Sequence, residues 1–221
     1  MPAVLVLLAG CSVFQKGERG IEYRAAGNAA PVVLIYGNES GVALIGLPAG
    51  ETLPHVDTFD DDAGGVLAFG VAARCGSVPV CELATEIRVD GKTEARAELG
   101  AEIIDPQAFG VSYILGAVAR LRDPSPAVRF EIMPANASGS YAIDGAGLAA
   151  IGAGVDAVVQ YARGDTAALH IETGSPDGSE VCLDARVSIS LSDSVWMPVA
   201  GGEFCSVLAL GLIDLRAAIP E

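Results

Sequence analysis

An all-β fold, one or two antiparallel sandwiches of immunoglobulin-like or jelly-roll-like type with little helix, is what this sequence predicts on three observations. Short runs rich in Val, Ile, Leu and Thr recur with turn residues between them. In Arg186-Val187-Ser188-Ile189-Ser190-Leu191 polar and apolar side chains alternate, the period of a strand with one wet face. Asp90-Gly91 stands between two such runs, and that dipeptide accepts the positive φ values a type I′ hairpin turn demands.

In chain order the predicted strands begin with Val32–Tyr36, Val42–Leu47 and Val66–Ala72, each a β-favouring run closed by turn residues. Glu86–Val89 and Thr93–Leu99 form the hairpin around Asp90-Gly91. Phe109–Leu121 is one long buried strand or a helix, because a continuous apolar run does not settle its own period. Val128–Met133, Val158–Tyr161, Ala168–Thr173, Val181–Leu191 and Ser206–Leu215 follow. Asp144–Val155, rich in Ala and Gly, reads as a loop with a helical turn at most. The punctuation Asp123-Pro124-Ser125-Pro126 divides the chain into β domains over 29–123 and 127–221, unless both belong to one continuous sandwich.

At 221 residues the chain is long enough to bury a sizeable core without crosslinks. Hydrophobic residues make up 51% and mean hydropathy is +0.45, so disorder is excluded. Lys plus Arg number 13 against 28 Asp plus Glu, a formal charge of −15. A phosphate backbone would be repelled, which excludes nucleic acid as a partner, and anionic head groups would be repelled too. Membrane attachment therefore has to be covalent or through another protein.

Residues Ala3–Phe14 form an uncharged apolar stretch too short for a bilayer, which takes roughly 20 residues, but of signal-peptide length. Leu8-Ala9-Gly10-Cys11 resembles the lipobox of bacterial lipoproteins. That resemblance implies a signal segment over 1–10, a diacylglycerol on the Cys11 sulfur, cleavage before Cys11 and acylation of the new amino terminus. Ser12, in place of an aspartate, implies an outer-membrane destination facing the periplasm or exterior. Residues 11–28, polar and glycine-punctuated, then read as a tether. Met1-Pro2 lacks the Lys or Arg of a secretory n-region, so either the true start lies upstream or the motif is a coincidence and Val4–Leu8 is a buried strand of an unprocessed chain.

Four cysteines remain, and an even number in an exported chain reads as two disulfides of three possible connectivities. Nearest-neighbour pairing is the simplest, Cys75 with Cys81 and Cys182 with Cys205. On the chain-entropy relation these contribute about 2.4 and about 3.4 kcal/mol. The spacings do not fit the close pairs of a zinc site.

Candidate chemistry is sparse. His55 lies in a loop and His170 in a strand-like alternation; with Lys16 and Lys92 they are the few available bases, and no Gly-x-Ser-x-Gly elbow accompanies them. The expectation is a protein that is not an enzyme. Gly145-Ala146-Gly147-Leu148-Ala149-Ala150 fits a loose dinucleotide-turn pattern but lacks βαβ surroundings. Asp57, Asp60, Asp61 and Asp62 crowd a glycine-terminated loop that could offer oxygen ligands to calcium, without EF-hand spacing, so a solvated turn is favoured. Arg163-Gly164-Asp165 spells an adhesion tripeptide, but an ordinary hairpin turn is the favoured reading. The sequence thus leads to a cell-envelope lipoprotein with a disulfide-stapled β body, bound to the membrane by lipid and to an envelope protein partner. The alternative is an unprocessed structural subunit of a virion or other surface assembly.

Overall fold

The computed structural model describes residues 19–61, 65–75, 81–99, 108–134, 138–143, 147–151, 154–174, 179–206 and 209–221. The fold is all-β. Eight strands join in one sheet in the order β12-β9-β14-β15-β8-β5-β2-β3. They are β2 (Ala30–Asn38), β3 (Gly41–Gly46), β5 (Leu67–Arg74), β8 (Ala108–Ala119), β9 (Ala127–Pro134), β12 (Val155–Gln160), β14 (Val181–Ser192) and β15 (Val195–Ser206). A four-stranded sheet of order β4-β1-β6-β7 comprises β1 (Arg19–Gly27), β4 (His55–Asp61), β6 (Leu83–Val89) and β7 (Lys92–Glu98). A second, of order β11-β10-β13-β16, comprises β10 (Ser138–Ile143), β11 (Gly147–Ile151), β13 (Thr166–Gly174) and β16 (Ala209–Ala218). Every described pairing is antiparallel. The large sheet draws four strands from each side of Pro124-Ser125-Pro126, and β8 meets β15 at its middle.

Period-2 alternation makes these elements two-faced. In β6 the side chains of Leu83, Thr85, Ile87 and Val89 are buried while Ala84, Glu86 and Arg88 lie between them on the wetter face. β14 does the same with Val181, Leu183, Ala185, Val187 and Ile189, except that Ser188, expected on the wet face, is buried as well. The buried faces form one hydrophobic cluster that includes Phe69, Phe130, Phe204 and Met197. The β6–β7 turn is as expected: Asp90 has φ +50° and Gly91 φ +77°, and Gly20 ties the turn to β1 by donating to the Asp90 carboxylate at 3.1 Å.

Glycines shape the large sheet. Gly37, Gly70 and Gly116 stand on β2, β5 and β8, and a Cβ on them would come within 3.2, 3.1 and 3.3 Å of the Met197 side chain. Three missing side chains thus leave a trough that the fully buried Met197 of β15 fills. At Gly202, φ +156°, a Cβ would lie 2.1 Å from the Ser112 carbonyl oxygen, so β8 and β15 approach this closely only over glycine.

Four expectations are corrected. Residues 19–27 of the expected tether form strand β1, whose Ile21, Tyr23 and Ala25 are buried. The acidic loop beginning at Asp57 is a strand as far as Asp61, because β4 pairs with β1 through Arg19↔Asp61. Part of the expected loop 144–155 is strand: β11 pairs with β10, and β12 begins at Val155. His55, expected in a loop, opens β4. Phe109–Leu121 resolves to a strand, β8, whose lateral partners β5 and β15 take its backbone hydrogen bonds.

Candidate functional site

The most developed polar constellation lies where β4, an edge of one four-stranded sheet, faces β2 of the large sheet. His55, Asp57 and Phe59 are the ladder partners of Ala25, Tyr23 and Ile21, so they share the inward face of that sheet. Tyr36 reaches across from β2 and donates its hydroxyl proton to Asp57 Oδ2, which also lies 3.1 Å from His55 Nε2. Burial and the Asp57 hydrogen bond raise the Tyr36 phenol above its ordinary range. Partial burial would raise the Asp57 carboxyl, but the hydrogen bonds from Tyr36 and His55 outweigh it and hold the group below the usual carboxylate value. A neutral phenol and a charged carboxylate therefore bridge the two sheets.

Aromatic rings back this bridge. Tyr23 stacks on Phe69 with centroids 4.9 Å apart and meets Phe59 edge-on at 4.9 Å, while Tyr36 lies 5.7 Å from Tyr23. Beside them opens a cleft of about 690 Å³ lined by Tyr36, Phe59, Val42, Glu39 and Arg122 among others. Arg122 reaches Glu39 at 2.8 Å across its mouth. Asn38 shapes the rim by accepting hydrogen bonds from the backbone of Ser40 and Gly41 at 2.8 and 3.2 Å. The arrangement suits recognition: an aromatic wall, a charged rim and a strand edge.

The cysteines pair as expected. Cys75 joins Cys81, and Cys182 joins Cys205, its direct ladder partner across β14 and β15. Glu180 stands beside the second pair, but both sulfurs are committed to each other. Of the acidic residues expected to attract calcium, Asp57 is engaged by Tyr36 and His55. Asp62 and the side chains of Asp60 and Asp61 lie outside the described residues, as does Cys11 with its lipobox. His170 sits on β13 with Nδ1 3.2 Å from the carboxylate of its ladder partner Asp214.

Arg163-Gly164-Asp165 is a turn with structural work of its own. Arg163 donates to the backbone oxygens of Leu121 and Asp123, Gly164 has φ +79°, and the Asp165 carboxylate accepts from Ala162 N at 3.0 Å. Sequence reasoning missed the Tyr36–Asp57–His55 cluster. The available signal was the i, i+2, i+4 spacing of His55, Asp57 and Phe59, which puts them on one face once the segment is read as a strand. Comparison with known proteins found no matching family model, no similar curated protein and no similar solved structure.

Proposed function

We propose that this chain is a lipoprotein of the bacterial cell envelope, anchored through Cys11, whose disulfide-stapled β body binds another envelope component in a non-enzymatic role. The observation that carries the reading is the cysteine arithmetic. Four of the five cysteines join one another, which leaves Cys11, in the lipobox, with no cysteine of its own chain to pair with. Disulfides form and persist in oxidising compartments outside the cytoplasm, where lipoproteins are delivered.

The physics of the anchor is consistent with this. Each buried methylene contributes about 0.8 kcal/mol, so a multiply acylated cysteine holds firmly where one chain binds reversibly. Strand β1 begins at Arg19. The short stretch from Cys11 to Arg19 reaches at most about 30 Å when extended, which keeps the body near the membrane surface. At the body, the cleft beside Tyr36 and Phe59 and the neighbouring strand edge favour binding over catalysis.

The test is the intact mass of the protein from its native host, with and without reduction. Expected are loss of residues 1–10, an added diacylglycerol and acyl chain on Cys11, and a shift of about four protons on reduction. An intact Met1 with a free Cys11 thiol would overturn the reading in favour of the unprocessed subunit.

A further inference from the structure

We propose that β3 is a docking edge for an extended, basic segment of a partner protein, which adds to the large sheet as a further strand. This names the partner class for the binding role proposed above and rests on that role.

The phase of the ladder fixes which backbone groups of β3 face outward. Leu47 N donates to Val32 O at 2.8 Å, so position 47 belongs to the hydrogen-bonded pairs of the β2–β3 ladder. Such pairs alternate along an antiparallel ladder with pairs whose backbone groups point away. Counting back by two, Ile45, Ala43 and Gly41 bond inward to Leu34, Tyr36 and Asn38. The N–H and C=O groups of Val42, Leu44 and Gly46 therefore face outward, and among the described residues β3 is the last strand of its sheet.

Among the described residues this edge also lacks the usual protection. Proteins blunt bare edges with charge, proline or bulges. β3 reads Gly-Val-Ala-Leu-Ile-Gly and pairs without a register shift. Its Leu44 is 68% exposed and Ile45 51%, and neighbours in a strand point to opposite faces, so both faces are apolar at the rim. At the far edge of the same sheet, β12 carries Asp156 locked to Arg129 by two hydrogen bonds at 2.8 and 2.7 Å. β4 and β7 are edges rich in charge, and β11 is uncharged but only five residues long.

Charge around the edge chooses the occupant. Glu39 lies in the turn before β3, Glu51 shortly after it, and Asp57 is bonded to Tyr36, the ladder partner of Ala43. Facing these are His55, which contacts Asp57, and Arg122, which contacts Glu39. With a chain charge of −15, a second copy approaching this edge is repelled while a basic strand is drawn in. Main-chain bonds then supply affinity and the apolar faces of Leu44 and Ile45 supply grip.

The experiment titrates the full chain with a capped heptapeptide alternating lysine and valine at about 150 mM salt, reading fluorescence anisotropy. Expected is saturable binding, weakened about tenfold or more when the peptide is N-methylated at alternate residues, because the ladder is then blocked. Leu44→Pro removes an outward N–H and has the same effect, with its unfolding midpoint checked in parallel. Should that variant fail to fold, Leu44→Lys keeps the N–H, repels the peptide and gives the same loss. Equal binding of the N-methylated peptide or of a glutamate–valine peptide would overturn the proposal, as would absence of saturable binding. So would a dimer by light scattering that Leu44→Lys dissolves. None of these outcomes alters the mass of the amino terminus, so a failed docking edge and a failed anchor are distinguishable.

Discussion

Between Tyr36 and Asp57 the proton stays on the phenol, and this fixes how the pair responds to pH. Asp57 titrates below its unfolded value, so its contribution is complete above about pH 4 and is lost as pH falls through the lower folded value. Tyr36 titrates above its unfolded value, so its contribution is complete below about pH 10 and is lost as pH climbs beyond it. In Tyr36→Phe both should shrink. Urea midpoints of the two proteins should therefore differ most between about pH 5 and 9 and converge toward either extreme. A gap that does not change with pH would show that the phenol acts only through packing. The residues of this cluster were legible singly and illegible together. Asp57 among its acidic neighbours read as a solvated turn, because the hydroxyl that orders it comes from a different sheet.

At the scale of elements, local chemistry was enough wherever it was strong. Asp90-Gly91 specified its hairpin because few dipeptides tolerate two successive positive φ values. Gly91→Ala adds a methyl that meets nothing within 4 Å, so its cost is conformational alone, about 1 kcal/mol by chemical denaturation. β14 was legible because its alternation spans the whole strand. β1 was not: Glu22 and Arg24 separate its buried Ile21, Tyr23 and Ala25, and the flanking glycines imitate a linker. β11 reads as loop because Ala and Gly carry little β preference, and its register comes from β10. The crosslinks also act at this scale. Opening Cys182–Cys205 by paired Ser substitutions should lower stability by about 3 kcal/mol, and opening Cys75–Cys81 by about 2 kcal/mol, since the closed loops span 23 and 6 residues. Urea melts of the two double variants give the order directly, and a reversed order would mean that loop length is not what governs them.

For the whole molecule, the division into three sheets could not be read from the chain, because strand order depends on contacts between residues far apart in sequence. Its signature is the glycine trough under Met197. Met197→Ala should cost about 2–5 kcal/mol through the cavity it leaves. Gly37→Ala alone should cost about 1–3 kcal/mol, because its Cβ would press on Leu191, Ala68 and Met197. Combined, the two should cost less than their sum, since the added methyl occupies space that the methionine vacates. Strict additivity in a double-mutant cycle would mean that the trough and the methionine are not complementary. The joint between β8 and β15 carries a further consequence for how the protein is made. Emerging amino end first, the chain completes β8 at Ala119 but does not present β15 until Val195. Through that interval a nascent half-sheet waits with its seam unzipped, when a passing holdase has most to shield and mispairing between neighbouring molecules is easiest.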